Sequence, residues 1–213
     1  MGALIIFDVD GTLLETERVT VPAVQRTFAA HGLPEPDAAT ICSFFGKPVE
    51  AYEAWLAEQC PPGTAARIVA ETNALELRLI GSEGRLYPGA LETLSELLTA
   101  GHSLAVCSNG PQDYVDEFLD SHGVGPLMAA VRARGSRRVD KAVMAGEILG
   151  LIPARPAFFV GDRHDDVDAA RAHGMVSVGA AYGFGGDAEI AGADARIASV
   201  TELPALVARL LAG

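Results

Sequence analysis

Residues able to do chemistry stand where short apolar runs end. Asp8 and Asp10 follow residues 3–7 (ALIIF), Ser108 and Asn109 follow 103–107 (SLAVC), and Gly161-Asp162 follows 157–160 (AFFV). Lys141 opens a helical pattern between the last two runs, and only it and Lys47 are lysines among 16 basic residues. Where arginine is the default cation, a lysine supplies a compact point charge that a guanidinium does not. If the run ends share one crevice, three carboxylates, an ammonium, a hydroxyl and loop amides meet there. Crowded carboxylates repel and need a cation between them. A highly charged, all-oxygen donor set suits Mg²⁺, which keeps several waters and binds substrate phosphate. Ser108, Lys141 and loop N–H groups are donors that can hold an anion beside it. One aspartate facing a phosphorus so held can be a nucleophile. A second can carry the proton to and from the oxygens. The chemistry implied is phosphoryl transfer, with cations stabilising charge on the equatorial oxygens.

The elements that must position these groups alternate. Residues 3–7 and 157–160 are apolar runs and 103–107 and 175–180 similar, mostly apolar ones, the pattern of strands buried on both faces of a parallel sheet, and 127–131 is a weaker fifth. Helical patterns fill 89–100, 112–121, 140–150, 165–173 and 203–212. Pro88 is expected at a first helical position, with Leu91, Leu94, Leu97 and Leu98 on one face and Gly101 as the stop. The fold class is α/β, a Rossmann-like parallel sheet whose right-handed crossovers bring the strand C-termini to one edge. Residues 16–84 break the rhythm: helical stretches near 20–31, 48–59 and 64–80 with no convincing strand. They form a small α-helical insert, so the expected organisation is an α/β core of 1–15 and 85–213 around 16–84, with Gly81 to Gly84 as a hinge.

Composition bounds the partners. The formal charge of −12 disfavours nucleic acid, which needs a cationic surface. No apolar stretch is long enough to span a membrane. The opening residues lack the basic region of a signal peptide. Cys42, Cys60 and Cys107 are an odd count without a CxxC pair, which argues against disulfides and thiolate zinc and for a cytoplasmic enzyme.

With these residues in place, the sequence resembles the haloacid dehalogenase superfamily. Its DxDGT motif stands here as Asp8-Val9-Asp10-Gly11-Thr12, its second as LAVCSNG with Ser108, its third as Lys141, and its fourth, GDxxxD, as Gly161-Asp162 through Asp166. All four come in family order, and an insert directly after the first looks like the small helical cap of phosphoglycolate-phosphatase-like members. The resemblance implies that Asp8 attacks phosphorus and ligates Mg²⁺. It makes Asp10 the general acid/base, lending its backbone carbonyl to the metal. Asp162 becomes a metal ligand, with Asp166 in or near the outer shell and Asp165 competing for that place. Ser108 and Asn109 bind phosphate, and Lys141 offsets the charge of Asp8 and phosphate. Lys141 is followed by Ala142 where proline is common, which leaves Arg137 and Arg138 as fallbacks.

In Phe44-Phe45-Gly46-Lys47-Pro48, a loop of the insert, Lys47 is expected to meet a carboxylate or second phosphate on the substrate. His164 sits inside the fourth motif without a motif position, so that polar lining of the outer site is the lesser reading for it; Tyr52 and Trp55 read as packing within the insert, and Cys107 as an inert core thiol. The loop 181–186 is glycine-rich but is no dinucleotide fingerprint. The resulting expectation is a Mg²⁺-dependent phosphatase, monomeric or weakly dimeric, acting on a small phosphorylated metabolite such as phosphoglycolate. The alternatives are a sugar-phosphate mutase of the β-phosphoglucomutase type, whose usual Ser-x-Ser loop is absent after Cys107, and a non-catalytic binding member of the fold. A serine hydrolase is excluded for want of GxSxG.

Overall fold

The computed structural model describes residues 2–135 and 139–212. Six parallel strands lie in the order β3-β2-β1-β4-β5-β6: β1 (Leu4–Phe7), β2 (Ser103–Ser108), β3 (Ala130–Ala133), β4 (Ala157–Gly161), β5 (Val176–Ala180) and β6 (Ala195–Ile197). The central β1 is flanked by β2 and β4, with Phe7 opposite both Val106 and Val160. Every residue of β1 is buried, which is why it reads as unbroken apolar sequence instead of an alternating one. Side chains still alternate between faces. Ile5, Phe7, Leu104, Val106, Phe158 and Val160 enter one core cluster. Leu4, Ile6, Ala105, Cys107, Ala157 and Phe159 enter the cluster on the other face. Each buried Val, Leu, Ile or Phe among them contributes about 1.5–3 kcal/mol by leaving water.

The chain leaves the sheet after β1 and runs through α1 (Glu17–Ala30), α2 (Ala38–Cys42), α3 (Val49–Glu58) and α4 (Ala65–Ser82). These helices carry their own apolar cluster, including Val24, Phe28, Ile41, Tyr52, Leu56 and Ile68. The two crossings between this bundle and the sheet are paired to each other: Glu15 N–H donates to the Arg85 carbonyl at 2.8 Å and Tyr87 N–H to the Leu13 carbonyl at 2.9 Å. The helices covering the sheet are α5 (Ala90–Thr99), α6 (Gln112–Ser121), α7 (Lys141–Leu151), α8 (His164–Ala172) and α10 (Leu203–Ala212), with a short α9 (Gly186–Glu189) after β5.

Four local expectations are corrected. Pro88 is not a first helical residue: Gly89, at φ 81°, caps α5 and the helix begins one residue later. Leu91 is 40% exposed, whereas Ala90, Thr93, Leu94 and Leu97 form the buried face. β3 starts three residues later than the run at 127–131, because Gly125–Leu127 closes a 3₁₀ turn first. Gly81 is no hinge, since α4 continues through it to Ser82.

Candidate active site

The C-terminal ends of β1, β2 and β4 meet at the point where strand order diverges from β1, the usual place for a ligand crevice in an open α/β sheet. Asp8 is the first residue past β1, and its N–H continues the ladder to the Val160 carbonyl at 2.9 Å. Its carboxylate is 1% exposed. The Lys141 ammonium, at the first turn of α7, lies 3.2 Å from Asp8 Oδ1, 2.6 Å from Asp166 Oδ1 and 3.5 Å from Asp165 Oδ2. Burial works against that ammonium, but Asp166, Asp8 and Asp165 hold its pKa well above the usual lysine value. It is therefore a fixed positive charge facing several carboxylates.

Asp8, Asp162 and Asp166 each bring a carboxylate oxygen into one group with all three atoms within 4.8 Å of one another. Asp162 Oδ2 accepts from the Phe184 and Gly185 N–H groups at 2.7 and 2.9 Å. Asp166 Oδ2 accepts from the Arg163 N–H at 3.0 Å. Asp8 Oδ2 and Asp162 Oδ1, both buried, have no hydrogen-bond partner among the described residues. Buried carboxylate oxygens without partners are costly. Burial pushes the Asp8 carboxyl up to about 7 against the opposing pull of Lys141, and Asp10, Asp162 and Asp165 add to the rise. Burial and then Asp166 raise Asp162 to about 7 despite its two backbone donors. Three hard oxygen donors with excess negative charge and unsatisfied lone pairs fit a divalent cation of the Mg²⁺ type. Gly11 makes this turn possible: its φ is 74°, and a Cβ there would lie 2.4 Å from Asp162 Oδ2. Gly161 is equally constrained, since a Cβ would stand 2.1 Å from Asp166 Cγ.

Asp10 points elsewhere. Its Oδ1 accepts from Thr16 Oγ1 at 2.7 Å and from the Tyr114 hydroxyl at 2.8 Å, so its side chain stands outside the three-carboxylate group. Burial raises its pKa, and the two hydroxyl donors only partly offset this. Thr16 and Tyr114 escaped the sequence reading. Tyr114 lies in the first turn of α6, just after the Ser108 loop, and that position was the available signal. Ser108 is fully buried, and its Oγ accepts from the Gly110 N–H at 3.0 Å, tightening the turn. Asn109 Nδ2 donates to Asp165 Oδ2 at 2.6 Å and to the Gly46 carbonyl at 2.9 Å. Against the cost of burial, Lys141 and Asn109 hold Asp165 below the usual carboxylate range. Asp165 is thus a bracket between Lys141 and Asn109, more than a helix-end charge, while Asp166 joins the metal-type group. Arg137 and Arg138 lie outside the described residues. Burial pushes the Cys107 thiol far up, in keeping with an inert core residue.

The helical bundle leans over this edge. Phe45 meets Phe184 edge-on at 4.7 Å between centroids, and the Asn109–Gly46 bond fastens the same loop. Between bundle and sheet lies a cavity of about 280 Å³. Asp10, Asn109, Gly110 and Tyr114 line its sheet side, and Thr20, Lys47, Tyr52, Glu53, Asn73 and Glu76 are among its bundle-side residues. Asp8 does not line it. Lys47 is exposed at the rim with its ammonium 4.9 Å from the Phe44 ring centroid. His164 Nδ1 is 2.6 Å from Glu189 Oε2, and His164 lines an adjoining cleft with Lys47, Asn109, Lys141 and Asp165 instead of this cavity.

Comparison with known proteins agrees with this geometry. The family model described as haloacid dehalogenase-like hydrolase matches residues 5–180, well over half of the chain. A phosphoglycolate phosphatase of Caulobacter vibrioides is 30% identical, the match covering 99% of this chain and 92% of that one. A crystal structure described as a predicted phosphoglycolate phosphatase from Haemophilus somnus shares the fold at TM-score 0.86, with 22% identity over 97% of this chain and 98% of that one. CbbY from Rhodobacter sphaeroides, solved in complex with xylulose-1,5-bisphosphate, is 25% identical at TM-score 0.76, covering 95% of this chain and 96% of that one. The chain belongs to the haloacid dehalogenase-like hydrolase family and is one of its phosphatase-type enzymes.

Proposed function

We propose that this enzyme is a Mg²⁺-dependent phosphatase that hydrolyses a small phosphomonoester through an aspartyl-phosphate on Asp8. The observation that carries the reading is the Asp8 carboxylate: buried at a strand end, one oxygen beside Lys141 and the other without a partner, with a second, protonatable carboxyl two residues on. Asp8, Asp162 and Asp166, with the Asp10 backbone carbonyl, would hold Mg²⁺, and the ion when bound supplies charge neutralisation for the phosphoryl oxygens. Lys141, Ser108 and the Asn109 amide orient the phosphoryl group for in-line attack. An Asp8 carboxylate oxygen forms the new bond to phosphorus as the ester bond breaks. Asp10 gives its proton to the departing ester oxygen, a task suited to a carboxyl with a raised pKa. Asp10, now ionised, takes a proton from a water whose oxygen attacks the same phosphorus. The acyl-phosphate bond breaks, inorganic phosphate leaves, and Asp8 returns as a carboxylate. Thr16 and Tyr114 fix the Asp10 carboxyl for both transfers.

Residues 16–84 act as a cap over the core formed by 1–15 and 85–213. The paired crossings at Leu13–Glu15 and Arg85–Tyr87 support that division, and closure excludes bulk water from the acyl phosphate. The free thiols of Cys42, Cys60 and Cys107 suit a reducing, cytoplasmic setting, and no helix among the described residues is long and apolar enough to cross a membrane. Phosphoglycolate, the substrate in the names of its relatives, is one ester this reading admits, with Lys47 as the cap cation facing it. The experiment is phosphate release from a panel of small phosphomonoesters with Mg²⁺ and with EDTA. Release that EDTA abolishes is expected. No release from folded protein contradicts the reading and directs attention to the mutase alternative and then to a binding role.

A further inference from the structure

We infer that the cap cavity is a subsite for a leaving group rich in hydroxyls, so the preferred substrate is the phosphate ester of a polyol or sugar and not of a carboxylate such as glycolate. This rests on the phosphatase reading and names the substrate class of the same site. Two observations carry it.

The first is the balance of donors and acceptors along the bundle side. Glu76, only 9% exposed on α4, accepts from the Thr20 hydroxyl. Glu53 accepts from Asn73 Nδ2 at 2.7 Å. Asp10 closes the sheet side, and Lys47 at the rim is the cation among the lining residues. A glycolate carboxylate here would meet the Glu53 side chain and, as it ionises, Glu76, with Lys47 only at the rim, and like charges in a partly desolvated cavity repel.

The second observation is Tyr52. It lines the cavity, is 92% buried (8% exposed), and its hydroxyl has no hydrogen-bond partner among the described residues. A buried hydroxyl left unpaired is costly, and its ring is already seated among Phe44 and Trp55 at 6.4 and 6.3 Å between centroids. The buried O–H is a donor that the cavity wall leaves unpaired, beside the carboxyl groups of Glu76 and Glu53. A ligand hydroxyl does both: it accepts from Tyr52 and donates to Glu76 or Glu53. An ammonium can donate but leaves the Tyr52 proton without an acceptor. Size agrees, since about 280 Å³ holds about nine waters at roughly 30 Å³ each, far more than glycolate occupies.

The test measures kcat/KM with Mg²⁺ for ribose 5-phosphate, glucose 6-phosphate, sorbitol 6-phosphate and phosphoglycolate. At least one hydroxylated ester is expected to exceed phosphoglycolate by tenfold or more. Tyr52→Phe, which keeps the packed ring, should lower the ratio of hydroxylated ester to phosphoglycolate by about fivefold, the loss of one hydrogen bond. Glu76→Gln, which removes the charge at constant shape, should raise phosphoglycolate turnover relative to the hydroxylated ester. Magnesium-dependent release led by phosphoglycolate, or a ratio that neither variant moves, overturns this inference and leaves the phosphatase reading standing. No release from any ester by folded enzyme overturns both.

Discussion

Glu76 places a carboxyl where the fold does not welcome a charge, and the consequence is measurable without any substrate. Burial pushes its pKa from 4.5 up to about 7; the Thr20 hydrogen bond opposes the rise, and the Asp10 and Glu53 carboxylates add to it. In the unfolded chain the group ionises near 4.5. Between those values the folded protein holds a proton that the unfolded chain has released, so stability falls as pH rises. The favourable contribution is complete below about pH 4.5 and is lost as pH passes through about 7. A difference of about 2.5 pH units at about 1.4 kcal/mol each gives about 3 kcal/mol in all, of which roughly 2.5 kcal/mol falls between pH 5 and pH 8. Glu76→Gln keeps the shape and the acceptor for Thr20 but cannot ionise. Its stability relative to wild type should therefore climb by about 2.5 kcal/mol from pH 5 to pH 8. Urea unfolding of both proteins in EDTA, at several pH values across that range, reads the difference directly. A difference that stays flat within about 0.5 kcal/mol, or a variant that loses ground as pH rises, would refute the reasoning.

Other perturbations follow from the same geometry. Lys141→Met removes a 3% exposed ammonium that faces Asp8, Asp165 and Asp166; urea unfolding should show a loss of about 3–5 kcal/mol, the cost of stranding buried charges, and a loss under about 1 kcal/mol would contradict it. Lys47→Ala should change the order of preference across the ester panel by about fivefold to tenfold while the best substrate keeps a comparable kcat; an unchanged profile argues against contact with substrate. Phe184→Ala removes the edge-on contact with Phe45, worth about 1 kcal/mol; KM should rise about fivefold as the closed cap is weakened, and an unaltered KM would remove the contact from closure.

The central strands were legible because burial on both faces leaves β1 and β4 as unbroken apolar runs and β2 and β5 as mostly apolar ones, and the acids at the ends of β1 and β4 inherit a common edge from parallel topology. β6 was not, since it has three residues and carries the exposed Arg196. The five-residue α2 is too short for helical periodicity to register. Gly81 suggested a hinge by residue type alone, but α4 packs against both α1 and α6, and tertiary contact carries the helix past it. Within the site, Asp8 and Asp162 stood out at the ends of apolar runs and Lys141 at a helix start, Asp166 entered only through the resemblance to the GDxxxD motif, and the fold brings these four side chains together. Tyr114 reaches Asp10 across 104 residues of chain, and no local pattern encodes that meeting. Tyr52 and Trp55 were read as packing, and both rings do pack. The unpaired hydroxyl of Tyr52 is visible only once the cavity around it is built.

The central claim is that Asp8 carries the phosphoryl group. Acid quenching during steady turnover with Mg²⁺, followed by mass spectrometry of the peptide containing Asp8, tests it most directly. The expected result is the added mass of one phosphoryl group on Asp8, absent without substrate, and an Asp8→Asn variant that stays folded, carries no label and loses activity by at least about 10⁴-fold. Turnover by that variant near the wild-type rate, or a label on another residue of the wild-type enzyme, would contradict it.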